Sequence, residues 1–168
     1  LLGSKYTLEN FRKVQGERQW FLNETLEIVL GSTGFLGVDE YAISDSSWHS
    51  RDPKLTVTYT PASKFERFPN HFMDDENLVG LIFYLGSGIG GHWTSMKKWA
   101  PDGFTYMDSF RESETTGGLV KTLPKDEMVQ YILNEATYSG TGVTAFIAVY
   151  KDEASRTRAM DQLTTLND

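Results

Sequence analysis

The sequence predicts an α+β fold in which a helix near the N-terminus packs on a mainly antiparallel sheet. Two continuous apolar runs of strand length, Leu78–Leu85 and Val143–Tyr150, are typical of strands buried inside a sheet. Between them, residues 92–110 contain two strand-like segments separated by Pro-Asp-Gly, a sequence typical of a hairpin turn. Segments with apolar residues at helical spacing occur on both sides of these strands.

The composition is that of a single globular domain covering residues 1–168. Hydrophobic residues make up 39% of the chain and aromatic residues 13%, which excludes a wholly disordered protein. The net charge of −7, with no run of basic residues, argues against binding to nucleic acid or to an anionic membrane. Residues 1–4, Leu-Leu-Gly-Ser, are typical of a cloning remnant.

The chain has no cysteine, which excludes disulfides, cysteine-ligated zinc and thiol chemistry. A small secreted domain would more often contain disulfides, so we expect an intracellular protein. The longest apolar run, Leu78–Leu85, is too short to span a bilayer as a helix. His49 and His71 lie in polar segments without the spacing of a metal-binding motif, so we expect no metal and no cofactor.

The N-terminal half is predicted to contain a helix and a strand ahead of the first buried strand. Residues 17–30 have an apolar stripe at helical spacing, which includes Trp20. Residues 38–43 fit either a short helix or a strand. Residues 54–60 alternate as a strand does. Residues 61–77 are expected to be irregular and to be held against the core by their phenylalanines.

The predicted hairpin follows a glycine-rich loop, residues 86–91. Its strands are predicted at 93–99 and 104–110, joined by a three-residue turn in which Gly103 takes the left-handed conformation. Gly-Ser-Gly-Ile-Gly-Gly does not fit a phosphate-binding loop, because a strand rather than a helix follows it. We therefore interpret this loop as a hinge or flap beside a cleft.

Two helices are predicted in the C-terminal part. The first is predicted over residues 125–136, after Pro124. The face that we expect to be buried consists of Met128, Val129, Ile132 and Leu133. The second is predicted over residues 154–166, with Met160, Leu163 and Leu166 spaced to contact the core.

His92 and Asp108 are the residues of the hairpin that suggest chemistry. In many thiol hydrolases the catalytic base is a His at the start of one strand, and the group that orients it is an Asp at the end of the neighbouring strand. With a three-residue turn the two residues share a face but lie about 13 Å apart. A bulge or a shifted register would place them diagonally, about 7–8 Å apart. A four-residue turn would place them on opposite faces.

His-Trp at a strand start, followed about sixteen residues later by Tyr-x-Asp-Ser, resembles papain-like cysteine proteases. Josephin-type deubiquitinases are the most similar in pattern. The resemblance includes the buried strand before the hairpin, the helix and strand after it, and the segment QGERQWFLNETL at residues 15–26. It covers about two-thirds of the chain and implies a papain-like fold.

The resemblance also implies roles for individual residues. Gln15 matches the glutamine of the oxyanion hole, His92 the base and Asp108 the group that orients it. The nucleophile position falls at Trp20, or at Glu17 with a different alignment, and none of residues 17–21 is Cys, Ser or Thr. An indole cannot act as the nucleophile in covalent catalysis. Thr141 is a second position to consider, but the segment around it leads into a strand rather than a helix.

Three functions are consistent with these observations. The first is a pseudo-protease that binds a protein or peptide, such as the tail of a ubiquitin-like protein, in a cleft for which Trp20, Trp93 and Trp99 are candidate lining residues. The second is an active cysteine protease or deubiquitinase whose cysteine has been replaced in this sequence. The third is an unrelated α+β interaction domain. The absence of a nucleophile favours the first.

Overall fold

The computed structural model describes residues 36, 42–43, 48–49, 56–57, 60–85, 92–108, 119–136 and 142–166. The strands are β1 (Ala42–Ile43), β2 (Trp48–His49), β3 (Thr56–Val57), β4 (Thr60–Pro61), β5 (Leu78–Leu85), β6 (His92–Ala100), β7 (Gly103–Asp108), β8 (Leu119–Leu123) and β9 (Val143–Tyr150). The helices are α1 (Ala62–Arg67), α2 (Pro69–Met73), α3 (Lys125–Asn134) and α4 (Glu153–Leu166). The predicted helix at 17–30 and the glycine-rich loop at 86–91 lie outside the described residues.

The strands form one large antiparallel sheet, which confirms the predicted α+β class. Its order is β1-β9-β5-β6-β7-β8, and β4 also pairs with β9. The predicted buried strands β5 and β9 are adjacent at its centre, with Ile82 opposite Ile147. Strands β2 and β3 form a separate two-stranded ribbon. The two apolar segments therefore lie in the middle of the sheet, where both faces are covered, as their composition predicts.

The hydrophobic core lies between one face of the sheet and the four helices. Its centre is a cluster of aromatic rings in which Phe146 of β9 contacts Phe65, Phe72 and Phe83 with ring centroids 5.0–6.5 Å apart. All four side chains are buried. Aromatic pairs at these distances stabilise a core beyond the area that they bury. Helices α1 and α2 are thus part of the core.

The prediction that residues 61–77 are irregular is wrong. This segment contains α1 and α2, and Pro69 occupies the first turn of α2, where a missing N–H costs nothing. Phe65, Phe68 and Phe72 are separated by three and four residues, which is helical spacing. The expected attachment of these phenylalanines to the core is confirmed for Phe65 and Phe72, while Phe68 is partly buried against it.

The opposite face of the sheet is also buried at its centre. Ile82, Ile147 and Val149 have no exposed surface, and Leu36 lies against this face beside Gly80. A side chain at Gly80 would come within 2.6 Å of Leu36 and would collide with the carbonyl of Met96. Glycine is therefore required at a point where the pairing of β5 with β9 also shifts by one residue.

The predicted hairpin is confirmed, but its turn differs from the prediction. Ala100 pairs with Gly103, so the turn contains only Pro101 and Asp102. Gly103 begins β7 and does not take the left-handed conformation. The register shifts between Lys98 and Ala100, so β6 contains a bulge next to the turn. This shift decides which residues of the two strands face each other.

The two predicted C-terminal helices are confirmed with small changes. In α3, Met128, Val129 and Ile132 are buried as predicted. Leu133 is 39% exposed, and Tyr131 takes its place because its ring packs edge-on against Tyr106 at 5.3 Å. None of the helices in the described part of the chain is long and apolar enough to cross a membrane.

In α4, Leu163 is buried and Met160 is partly buried, as predicted, but Leu166 is exposed. Asp152 caps the start of this helix, since its carboxylate accepts hydrogen bonds from the Ser155 amide and hydroxyl, both at 2.7 Å. These bonds lower the pKa of the Asp152 carboxyl below its ordinary value. The cap explains why the helix begins one residue before the predicted 154–166.

Candidate functional site

The register of the hairpin brings the backbone positions of His92 and Asp108 close together. Ser95 pairs with Met107, and the next step of the ladder places Asp108 opposite Thr94. His92 is two residues from Thr94, so positions 92 and 108 share a face and are diagonal neighbours, about 7–8 Å apart at Cα. The two-residue turn and the bulge beside it each shift the register by one residue, and together they produce this offset in place of the 13 Å separation expected for a regular three-residue turn.

Asp108 lies in a buried, polar part of the sheet. Its side chain is 1% exposed, and its backbone pairs with Leu119 of β8. Beside it the Tyr106 hydroxyl donates a 2.6 Å hydrogen bond to Oγ1 of Thr94, and both of these side chains are buried. Burying a carboxylate costs free energy unless polar groups surround it. The polar surroundings at this end of the hairpin therefore favour a single orientation of the Asp108 side chain.

The other predicted site residues are placed as follows. His92 is the first residue of β6 and pairs with Leu85 of β5. Gln15 and Trp20 lie outside the described residues.

Trp93 and Trp99 lie on the face of the sheet opposite to that of Asp108. Trp93 pairs with Tyr84 on the other face of the sheet and is buried against its ring at 4.9 Å. Trp99 lies at the turn end of β6 and is 59% exposed. Side chains at successive strand positions point to opposite faces, so odd-numbered residues of β6 cannot share the face of Asp108.

The turn end of the hairpin is held to the helices by polar contacts. The Lys98 ammonium donates hydrogen bonds to the carbonyls of Met73 (2.7 Å) and Asp75 (2.8 Å) at the end of α2. Burial lowers the pKa of Lys98, while Asp75 and Asp74 oppose this shift. In the turn, Asp102 accepts a 2.7 Å hydrogen bond from the Lys125 amide and so caps the start of α3.

The described histidine and acidic side chains do not form a metal site. Within the described ranges, no group of three or more His, Asp or Glu residues lies close enough to hold a metal ion. The ring of His71 is engaged with α4, because its Nε2 atom lies 2.9 Å from the carbonyl oxygen of Ala159. His71 therefore links two helices.

A groove between β8 and α3 is a feature that the sequence did not reveal. Strand β8, Leu-Val-Lys-Thr-Leu, was not predicted, because its apolar and polar residues do not alternate. The groove has a volume of about 440 Å³ and is lined by residues of both elements. Its lining includes Lys121 and Leu123 of β8 and Asp126, Glu127 and Tyr131 of α3.

Comparison of the chain with protein families, with curated proteins and with solved structures finds no match.

Proposed function

We propose that the protein is a papain-like pseudo-protease, a module that binds a protein or peptide and does not cleave it. The observation that carries this proposal is the diagonal placement of positions 92 and 108 on one sheet face in a chain without cysteine. A base and its orienting carboxylate need this proximity, and a thiol protease needs a nucleophile that this chain lacks.

The burial of Asp108 supports the same proposal. An aspartate without a role is most easily accommodated at the surface, because desolvating a carboxylate costs free energy. Here Asp108 is 1% exposed, and the neighbouring hydroxyls of Thr94 and Tyr106 are joined by a 2.6 Å hydrogen bond. In the proposed site Asp108 is the group that orients His92, and Gln15 and the position of Trp20 complete the remnant of the active site.

Activity-based ubiquitin probes test the catalytic half of the proposal. The unchanged chain is expected not to react with ubiquitin carrying a C-terminal propargyl group, because the probe requires a thiol. Single cysteine substitutions across residues 17–21, including Trp20→Cys, should restore labelling at one position. Adding His92→Ala to the labelled variant should remove the labelling, since the base would be missing.

Each labelling result has a definite consequence for the proposed site. Labelling of the unchanged chain would contradict the loss of activity. Labelling of a cysteine variant that persists after His92→Ala would show a reactive surface thiol, and the proposed site would be wrong. Absence of labelling in all five variants would remove the support for a papain-like arrangement.

Binding is tested with isotopically labelled ubiquitin. We expect the unlabelled protein to shift the NMR signals of the ubiquitin C-terminal tail, because the proposed cleft holds an extended chain. Ubiquitin without its last residues is the control and should show no shifts. Equal shifts for both forms would place the contact elsewhere, and no shifts at millimolar concentration would exclude ubiquitin as the partner.

A further inference from the structure

Strand β8 is the last strand of the sheet in the described part of the chain, and its surface is open. It pairs with β7 on one side only, and Val120, Lys121 and Thr122 are all exposed. Val120 is 64% exposed. Because successive residues point to opposite faces, exposure of three in a row means that each face of β8 has an exposed side chain. An edge of this kind presents backbone N–H and C=O groups that can pair with another strand.

The helix-facing side of this edge is acidic. Asp126, Glu127 and Glu135 of α3 and its C-terminal cap line the groove beside β8, and Lys121 is the basic residue in its lining. Asp126 and Glu127 lie in the first turn, where negative charge stabilises a helix. Glu135 lies at the opposite end, where the helix dipole disfavours it.

The groove already holds one cation over an aromatic ring. The ammonium of Lys121 lies 5.3 Å from the centre of the Tyr131 ring, within the range of a cation–π interaction. Lys125, at the start of α3, is engaged elsewhere, since its ammonium forms a 2.8 Å ion pair with Asp74. The carboxylates of the groove, rather than the buried Tyr131 ring, suit the ammonium and guanidinium groups of a ligand.

The other side of the edge suits small or β-branched side chains. Val120 and Thr122 lie on this face, and the Thr122 hydroxyl is 2.9 Å from that of Thr105. The indole of Trp99 donates a 2.7 Å hydrogen bond to the same Thr105 hydroxyl. These hydrogen bonds fix the three side chains in a row that ends at the edge. An added strand would extend this row with its own outward-facing residues.

We propose that β8 binds an extended basic peptide of a partner protein as an additional strand. Its lysine or arginine residues, at every second position, enter the acidic groove between β8 and α3. Its intervening residues are β-branched and lie beside Val120 and Thr122. Backbone hydrogen bonds to the edge supply affinity, and the charges in the groove supply specificity.

A second copy of this chain is a poor occupant of the same edge. Two molecules with a net charge of −7 repel each other. Charge complementarity therefore favours a basic partner. This inference does not depend on the papain-like resemblance.

Fluorescence polarisation with three labelled octapeptides tests the proposal. The first alternates lysine with valine and threonine, the second replaces each lysine by glutamate, and the third is the first with N-methyl groups along one backbone edge. We expect only the first to bind. Hydrogen exchange in its presence should slow the amides of residues 119–123, because they gain partners.

Charge reversal in the groove supplies the matched variants. Glu135→Lys should weaken binding of the lysine peptide roughly tenfold, which corresponds to about 1.4 kcal/mol. It should not unfold α3, because a cation is favourable at a helix C-terminus. Glu66→Lys is the control, since Glu66 is exposed near the C-terminal end of α1, away from the groove lining. The control should bind as the unchanged protein does.

Four results would overturn the proposal. They are equal binding of the lysine and glutamate peptides, binding of the N-methylated peptide, equal weakening by Glu66→Lys and Glu135→Lys, and unchanged exchange at residues 119–123. Absence of binding by the lysine peptide at millimolar concentration would also overturn it. None of these results changes the expected outcome of the ubiquitin-probe experiment.

Discussion

At the centre of the sheet, β5 is almost wholly buried and β9 is buried from Phe146 to Tyr150, whereas the described side chains of β8 at the end of the sheet are mostly exposed. The central strands read as continuous apolar runs, while β8 mixes leucine and valine with lysine and threonine. Burial on two faces permits only apolar residues, and partial exposure permits almost any residue. From this difference we expect the stability of the fold to be concentrated at the centre of the sheet.

The largest difference in the free energy of unfolding is expected between two alanine substitutions of aromatic residues. These are Phe146→Ala at the centre of the sheet and Trp99→Ala near the hairpin turn. Phe146 is fully buried among three other rings, so its truncation leaves a cavity and should cost about 3–5 kcal/mol. Trp99 is 59% exposed, and its loss should cost less than about 1 kcal/mol. Urea denaturation of both variants measures the difference. Equal losses would show that the outer strands are as tightly packed as the core.

An intermediate effect is expected from two adjacent lysines of β6. Lys98→Met removes the ammonium that bridges two carbonyls after α2, and it should cost about 1–3 kcal/mol because those acceptors lose their partner. Lys97 lies on the opposite face, 3.8 Å from the centre of the exposed Trp99 ring, and Lys97→Met should cost less than about 1 kcal/mol. Thermal denaturation compares the two. A larger loss for Lys97→Met would contradict the contribution assigned to the Lys98 hydrogen bonds.

The smallest effect is expected at the end of β9, where Tyr150 is buried and its hydroxyl has no hydrogen-bond partner among the described residues. Tyr150→Phe removes this unsatisfied group and should stabilise the protein by about 1 kcal/mol at neutral pH. A loss of stability would show that the hydroxyl has a partner.

The same variant should change the pH dependence. Burial raises the pKa of the Tyr150 hydroxyl above its ordinary value of 10.0. Above pH 10 the unfolded chain releases this proton while the folded protein keeps it, so the wild-type protein loses stability as the pH rises. The advantage of Tyr150→Phe should therefore grow above pH 10. Urea midpoints measured at pH 8, 10 and 11 test this, and a constant difference would contradict it.

Much of the fold could be predicted from local patterns. The strands at residues 78–85 and 143–150, the hairpin and the last two helices were predicted within a few residues. Helices α1 and α2 were missed because proline and polar residues concealed the helical spacing of three phenylalanines. Strand β8 was missed because five residues of mixed character carry little local signal. In α3, the exchange of Leu133 for Tyr131 depends on the position of Tyr106 in another element.

The candidate site divides in the same way. Residue types alone indicated His92 and Asp108. The alternation of side chains along a hairpin left three arrangements open: the same face and far apart, the same face as diagonal neighbours, or opposite faces. Only the two-residue turn and the bulge beside it selected the diagonal arrangement. The groove beside β8 had no signature in the sequence, because the position of α3 depends on contacts with β7, such as that of Tyr131 with Tyr106.

The sequence by itself determined that this protein is an α+β chain with two largely apolar strands, a hairpin and no thiol chemistry. These properties follow from composition and from periodicity over a few residues. The tertiary structure alone decided the strand order, the register that relates positions 92 and 108, and the open acidic edge at β8. Such features depend on which distant segments pack together, and a local pattern of residues contains no information about that choice.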